Sequence, residues 1–252
     1  MATASLSSTS PEGLRLIGRL VEASNATFVV EDAGGARFVY KPVAGEAPLW
    51  DFPDHTLGRR EVAAYEVSRA SGFDVVPSTT WVNGPLGEGS LQAWVDDDGP
   101  ALARLVPADE VPDDWYGIVL GVDAHDREVA LIHAAHPGLR RLALFDAVVN
   151  NADRKAGHIL TDGDAVLGCD HGVSFHVEPK LRTILWGWAG EPFTATERDL
   201  LRGVVAHAPA AVEEWLEASE VDALVERCHA LLAAGTFPEP GDAWPVIPWP
   251  PI

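Results

Sequence analysis

The stretch Leu144-Phe145-Asp146-Ala147-Val148-Val149-Asn150-Asn151-Ala152-Asp153-Arg154-Lys155-Ala156-Gly157-His158-Ile159-Leu160 constrains the chain more than any other. Leu144, Phe145, Val148 and Val149 fall at i, i+1, i+4 and i+5, which keeps them on one helical face. Asn150-Asn151 breaks that helix, because asparagine bonds its own backbone in non-helical conformations. Asp153 and Arg154 then stand in a polar loop. Ile159-Leu160 and Ala165-Val166-Leu167 read as two strands around the turn Gly163-Asp164. Asp170 lies just beyond the second strand, twelve residues after His158. Two carboxylates, Asp153 and Asp170, are therefore presented from loops at the ends of one hairpin.

That layout suits phosphoryl transfer. One aspartate orients or deprotonates an attacking hydroxyl, and the other holds a divalent metal on a nucleotide's phosphates. Taken singly, each aspartate reads as a turn residue. The pair, with Asn151 and Arg154 beside the first, reads as a site.

Asn151-x-Asp153-Arg154-x-x-x-His158, followed by Asp170-x-Gly172 and Phe175, resembles the catalytic and metal-binding loops of phosphatidylinositol 3-/4-kinase-like proteins. The match is closest to type II phosphatidylinositol 4-kinases and HipA-like kinases, and the chain is similar to an uncharacterised actinobacterial branch. The resemblance implies a protein-kinase-like fold, ATP as a substrate, and Mg²⁺ or Mn²⁺ as the ion. It implies Asp153 and Arg154 as catalytic residues and Asp170 as a metal ligand. One departure stands out. The family's metal-binding asparagine is His158 here.

Upstream, Leu14–Val21, Thr27–Glu31 and Ala36–Val43 read as strands. Ser24-Asn25-Ala26 stands where such a fold places its phosphate-covering loop, although it lacks the usual glycines and by itself reads as a plain hairpin turn. Lys41 ends the third strand. Leu57–Ser71 reads as a helix closed by Gly72. Within it Glu61 is the expected partner of Lys41, as the resemblance implies, and Glu66 reads as solvated. Ser78–Asn83 and Ser90–Val95 form a further strand pair. Gln92, Trp94 and Val95 lead into the acidic linker Asp96-Asp97-Asp98, the expected hinge against the adenine edge. Beyond Val106 the chain is alanine-rich and reads as helical, with helices over Trp115–Leu120 and Asp126–His133. Pro137 opens the helix that ends at Asn150. The spacing of His125, His133 and His136 does not suit zinc. Thr194-x-x-Glu197 is a capping box. Val221, Leu224, Val225, Cys228, Leu231 and Leu232 form a core stripe. Phe237–Ile252 holds six prolines and two tryptophans. It reads as an extended tail laid on the surface, covering Trp244 and Trp249.

The expected fold class is therefore α+β: a two-lobed protein-kinase-like chain with a β-rich N-lobe carrying one helix and a larger helical C-lobe. The expected division is a disordered tail over 1–11, an N-lobe over 12–93, a C-lobe over 94–235 and the proline- and tryptophan-rich tail over 236–252. The formal net charge of −20 argues against nucleic acid, which is held by neutralising its phosphates. It argues equally against an anionic membrane surface. No run of about 18 apolar residues is present, and the N-terminus lacks the marks of a secretory signal. Two cysteines fit a reduced, cytoplasmic setting. The expected activity is ATP-dependent phosphotransfer to a hydroxyl of a small molecule or protein rather than a membrane lipid. Its rivals are a nucleotide-binding pseudokinase and a kinase-fold enzyme that transfers AMP.

Overall fold

The computed structural model describes residues 13–20, 25–242 and 245–252 of the 252. The expected disordered tail lies outside these residues, as does Trp244. The N-terminal lobe is an antiparallel sheet of β1 (Arg15–Leu20), β2 (Thr27–Glu31), β3 (Arg37–Pro42), β4 (Thr79–Gly84) and β5 (Gly87–Ala93) in the order β1-β2-β3-β5-β4. Alternation in β3 buries Phe38 and Tyr40 in a small cluster with Val30 and Leu91. Lys41 therefore points to the opposite face.

Helix α1 (Leu57–Ser71) joins β3 to β4 and ends on Gly72, whose φ of 76° is the left-handed conformation that closes helices. It buries Ala63, Ala64 and Val67 in the main core. It also runs along α3 (Ala195–Val212), where Gly203 faces the Ser71 carbonyl so closely that a side chain would crowd it.

The C-terminal lobe is built around α2 (Pro137–Val149). Pro137 fixes the first turn and Asn150 ends the helix in the left-handed region, φ 55°. Leu139, Leu142, Leu144, Phe145, Val148 and Val149 are fully buried. They pack against α1, α3 and α4 (Ala218–Ala234) in one continuous core. The hairpin of β9 (Ile159–Asp162) and β10 (Ala165–Gly168) lies beside α2. The Thr194–Glu197 capping box opens α3 as its sequence requires. The fold is α+β, with a β-rich first lobe and a second lobe whose core is helical.

The segment between the lobes departs from expectation. Residues 103–134 are not helical. They form a three-stranded antiparallel sheet of β6 (Ala103–Pro107), β7 (Trp115–Val122) and β8 (Glu128–Ala134), ordered β6-β8-β7. The local chemistry accounts for the difference. Asp123 accepts the backbone N–H groups of His125 and Arg127, and Asp126 takes φ 57°, so the 123–127 stretch is a hairpin turn. The β-formers Trp115, Tyr116, Val119, Val122, Val129 and Ile132 outweigh the alanines. His133 is wedged between the Tyr116 and Trp188 rings, 5.3 and 4.8 Å from their centroids.

The C-terminal segment does lie across the second lobe. The Val246 carbonyl accepts from Thr183 N and Trp186 Nε1, and the Pro251 carbonyl accepts from Ala156 N. The expectation that Trp249 would be covered is wrong, because its side chain is 86% exposed. The Val246 and Pro251 carbonyls anchor this strap while the Trp249 side chain faces outward.

Candidate active site

Lys41 lies where β3 meets β5, opposite Ser90. Gly89, next along β5, faces the Lys41 carbonyl at a distance that leaves no room for a Cβ, so a glycine is required there for the strands to pair. The Lys41 ammonium forms an ion pair with Glu61 of α1 and another with Asp170, the latter at 2.7 Å. Burial works against the charge on Lys41, but Asp170 and Glu61 together outweigh it and hold its pKa above the usual lysine value. Glu61 is fixed from its other oxygen by the backbone N–H of His171, at 3.0 Å. Strand, helix and Asp170 loop thus meet at one ammonium group. Glu66 instead pairs with Arg69.

The helix end presents Asp153. Asn150 spans the loop behind it, donating to the carbonyls of His176 and Glu178 and accepting from Lys180 N. Asn151 Oδ1 accepts from Asp153 N at 3.0 Å, an Asx turn that sets the loop's direction. The Asp153 carboxylate meets Lys155 Nζ at 3.0 Å and lies 3.6 Å from Arg182.

Arg154 does not enter the cleft. Its side chain is fully buried and forms a two-pronged pair with Asp146 at 2.9 Å. It also donates to the carbonyls of His158 and Cys169 and to His171 Nε2. One guanidinium thus ties α2 to both loops that carry Asp153 and Asp170. Because His171 Nε2 accepts from Arg154, its proton sits on Nδ1, and burial drives its pKa well down.

His158 Nδ1 faces the Asp153 carbonyl at 3.0 Å, so that nitrogen carries the proton. Its Nε2 lone pair then faces Asp170 Oδ2 at 3.2 Å. Lys41 holds the Asp170 carboxyl well below the usual carboxylate range, against the opposing effect of burial. Asp170 itself adopts φ 58°, which turns its carboxylate toward Lys41 and His158. The adjacent Cys169 thiol is pushed up to about 12 by burial, which disfavours its thiolate.

A cavity of about 300 Å³ opens in front of these groups, lined by Lys41, Glu61, Asp153, Asp170 and Gly172. Asn25 and Ala26 also line it, and Ser24 lies outside the described residues. Asn25 Oδ1 accepts from Ala47 N at 2.7 Å, joining the β1–β2 connection to a flap over residues 46–53. Gln92, Trp94 and Val95 do not line this cavity. Gln92 is buried and donates to Thr79, while Trp94 bonds Asp96 and lies over Arg37.

Several members of the site carried little signal in the sequence. Glu46 bonds the first N–H groups of α1 from across the cavity. Asp51 pairs with the buried Lys180 at 2.7 Å. Arg182 stands beside Asp153. Asp146 is a buried aspartate inside the apolar helix α2. Arg60 is buried, pairs with Glu220 and donates to the Ser174 carbonyl at 2.6 Å.

No protein-family model matches the chain. Protein Rv2133c of Mycobacterium tuberculosis is 45% identical over 258 residues, covering 94% of this chain and 91% of the relative. The chain belongs to the Rv2133c family. Among solved structures, this Rv2133c-family chain is similar to the Golgi casein kinase at 12% identity and TM-score 0.49, over 90% of this chain and 73% of the other. A second structure of that kinase, with the same figures, has Mn/ADP bound. The Helicobacter pylori proinflammatory kinase CtkA is similar at 9% identity and TM-score 0.45, over 88% of this chain and 93% of the other. At such identities and TM-scores the likeness carries nothing about this chain's activity.

Proposed function

We propose that the protein is an ATP-dependent phosphotransferase whose acceptor is a hydroxyl group. The observation that carries this reading is the single ammonium of Lys41 held between Glu61 and Asp170, on a cavity that also holds Asp153. Lys41 binds nucleotide phosphate and Glu61 keeps it aimed. Asp153 orients the acceptor hydroxyl and takes its proton. Arg154 acts at a distance, fixing both loops through Asp146.

Asp170 and His158 fit a divalent ion. Their facing oxygen and nitrogen are 3.2 Å apart, close to the ~3 Å edge of a coordination shell with ~2.1 Å bonds. The hydrogen bond to the Asp153 carbonyl fixes the histidine tautomer that ligation needs. Bound there, Mg²⁺ or Mn²⁺ would offset charge on the phosphates, which matters in a protein of net charge −20.

The same charge weighs against a phosphatidylinositol headgroup in an anionic membrane, and no helix among the described residues is long and apolar enough to cross one. The motif order supports a place near the phosphatidylinositol 3-/4-kinase-like branch, with a small-molecule or protein acceptor in the cytoplasm. A second reading is AMP transfer. It is favoured by the direction of the cavity, which extends to Asn25, Glu46 and Trp50 rather than to Gln92, Trp94 and Val95. A nucleotide entering in the reversed sense would bring its α-phosphate to Asp153. A pseudokinase role is disfavoured by the complete Lys41–Glu61–Asp170 set.

The deciding experiment is incubation with cell extract and ATP labelled separately in the γ- and α-phosphates. Transfer of the γ-label, abolished in Asp153→Ala and Asp170→Ala, is expected. Transfer of the α-label establishes AMP transfer, and transfer of neither defeats both readings.

A further inference from the structure

We propose that Arg182 recognises an anionic group, a phosphate or a carboxylate, on the acceptor. The proposal rests on the phosphotransfer reading and names the class of its acceptor: a small hydroxylated anion. The chain holds three lysines among its 18 basic residues. Lys41 lines the cavity, and the other two pair with carboxylates that line it. Lys41 is held by Glu61 and Asp170, Lys155 by Asp153, and Lys180 by Asp51. In a protein of net charge −20, cations are thus gathered at the place where an anion must be attracted.

Arg182 differs from the three lysines in its bonding. Its Nε donates to the Ala152 carbonyl at 2.6 Å, which fixes the guanidinium against the loop that carries Asp153. Its Nη2 lies 3.6 Å from Asp153 Oδ1, beyond hydrogen-bond distance. Among the described residues neither terminal nitrogen makes a hydrogen bond. A planar fork immobilised at its base and lining the cavity, with Nη2 at ion-pair distance from Asp153 and Nη1 facing no carboxylate, matches a carboxylate or a phosphate. An anion on that fork lies next to Asp153. Its own molecule therefore presents a hydroxyl to Asp153 only if hydroxyl and anion are a few bonds apart.

The test uses the full chain saturated with a non-hydrolysable ATP analogue and Mn²⁺. It is titrated calorimetrically with inorganic phosphate and, separately, with acetate. Wild type is compared with Arg182→Ala and Arg182→Gln. Glutamine can still donate to the Ala152 carbonyl, so a loss common to both variants reflects the charge and not the loop. The wild type is expected to bind at least one of the two anions saturably, with affinity falling about tenfold or more in both variants. Binding of phosphate alone marks a phosphorylated acceptor, and binding of acetate marks a hydroxy acid. Absence of saturable anion binding in the analogue-loaded wild type overturns the proposal, as does equal binding in wild type and variants. An equal loss of analogue and anion affinity also overturns it, since Arg182 would then serve the nucleotide. Failure of the wild type to bind the analogue defeats the phosphotransfer reading, and the acceptor assignment falls with it.

Discussion

Asp153 and Arg154 are adjacent in the chain and opposite in surroundings. Asp153 is half-buried at the cavity, while Arg154 is sealed against Asp146 beneath it. Their substitutions therefore fail differently. Asp153→Asn is expected to lower kcat by about 10²–10⁴-fold and to leave nucleotide affinity in place, as read by turnover and calorimetry. Arg154→Ala leaves a buried carboxylate without its cation, at an expected cost of about 3–5 kcal/mol in urea unfolding. Asp146→Leu combined with Arg154→Met should cost less than the sum of the two single changes. His158 gives a third prediction. An imidazole ligand favours Mn²⁺ over Mg²⁺ relative to an amide oxygen, so His158→Asn should shift metal preference in nucleotide binding toward Mg²⁺. Much at this scale was legible because Asp153 and Asp170 fall in motifs of fixed spacing, while Lys41 ends a readable strand and Glu61 follows from the resemblance. Arg182, Asp51 and Glu46 fall in none. They reach the cavity through the path of two irregular loops, and loop paths have no periodicity to read.

The elements that matter most for the site were the plainest in sequence. Helix α1 begins and ends at the residues its pattern indicates, and the β9–β10 hairpin turns at Gly163. The β6–β8–β7 sheet was misread, because its outer face is solvent-exposed and shows no clean alternation. Leu120 and Val122, for example, are 74% and 65% exposed. That sheet is held to the second lobe through His133, whose Nε2 accepts from Gly187 N while Nδ1 donates to the Ala134 carbonyl. Burial pulls its pKa down to about 4 from 6.5. The folded state thus refuses a proton that the unfolded chain accepts. Stability should be full above pH 6.5 and fall as the pH drops through the window toward 4, by about 2–3 kcal/mol. Urea titrations of wild type and His133→Gln across that window should show a flatter pH dependence in the variant.

Across the whole molecule, the two lobes are pinned together behind the cavity. Arg60, one residue before Glu61, reaches Glu220 at the start of α4 and the Ser174 carbonyl beyond the Asp170 loop. Arg60→Met should lower the melting temperature and weaken nucleotide binding together, since the same helix positions Glu61. The C-terminal strap behaves separately. Truncation after Pro240 frees Thr183 N and Trp186 Nε1 and uncovers the core contact of Ile247, so a fall in melting temperature is expected. The gathering of all three lysines at the cleft has a practical side as well. Apart from the α-amino group, the chain has no other amines, and all three lysine ammoniums are paired with carboxylates, so an acylating dye or biotin ester that reaches a lysine breaks a pair belonging to the cleft. A protein immobilised through a lysine has lost one of those pairs, and its silence in a binding assay would report the chemistry of attachment. Labels belong instead on an added cysteine far from the flap.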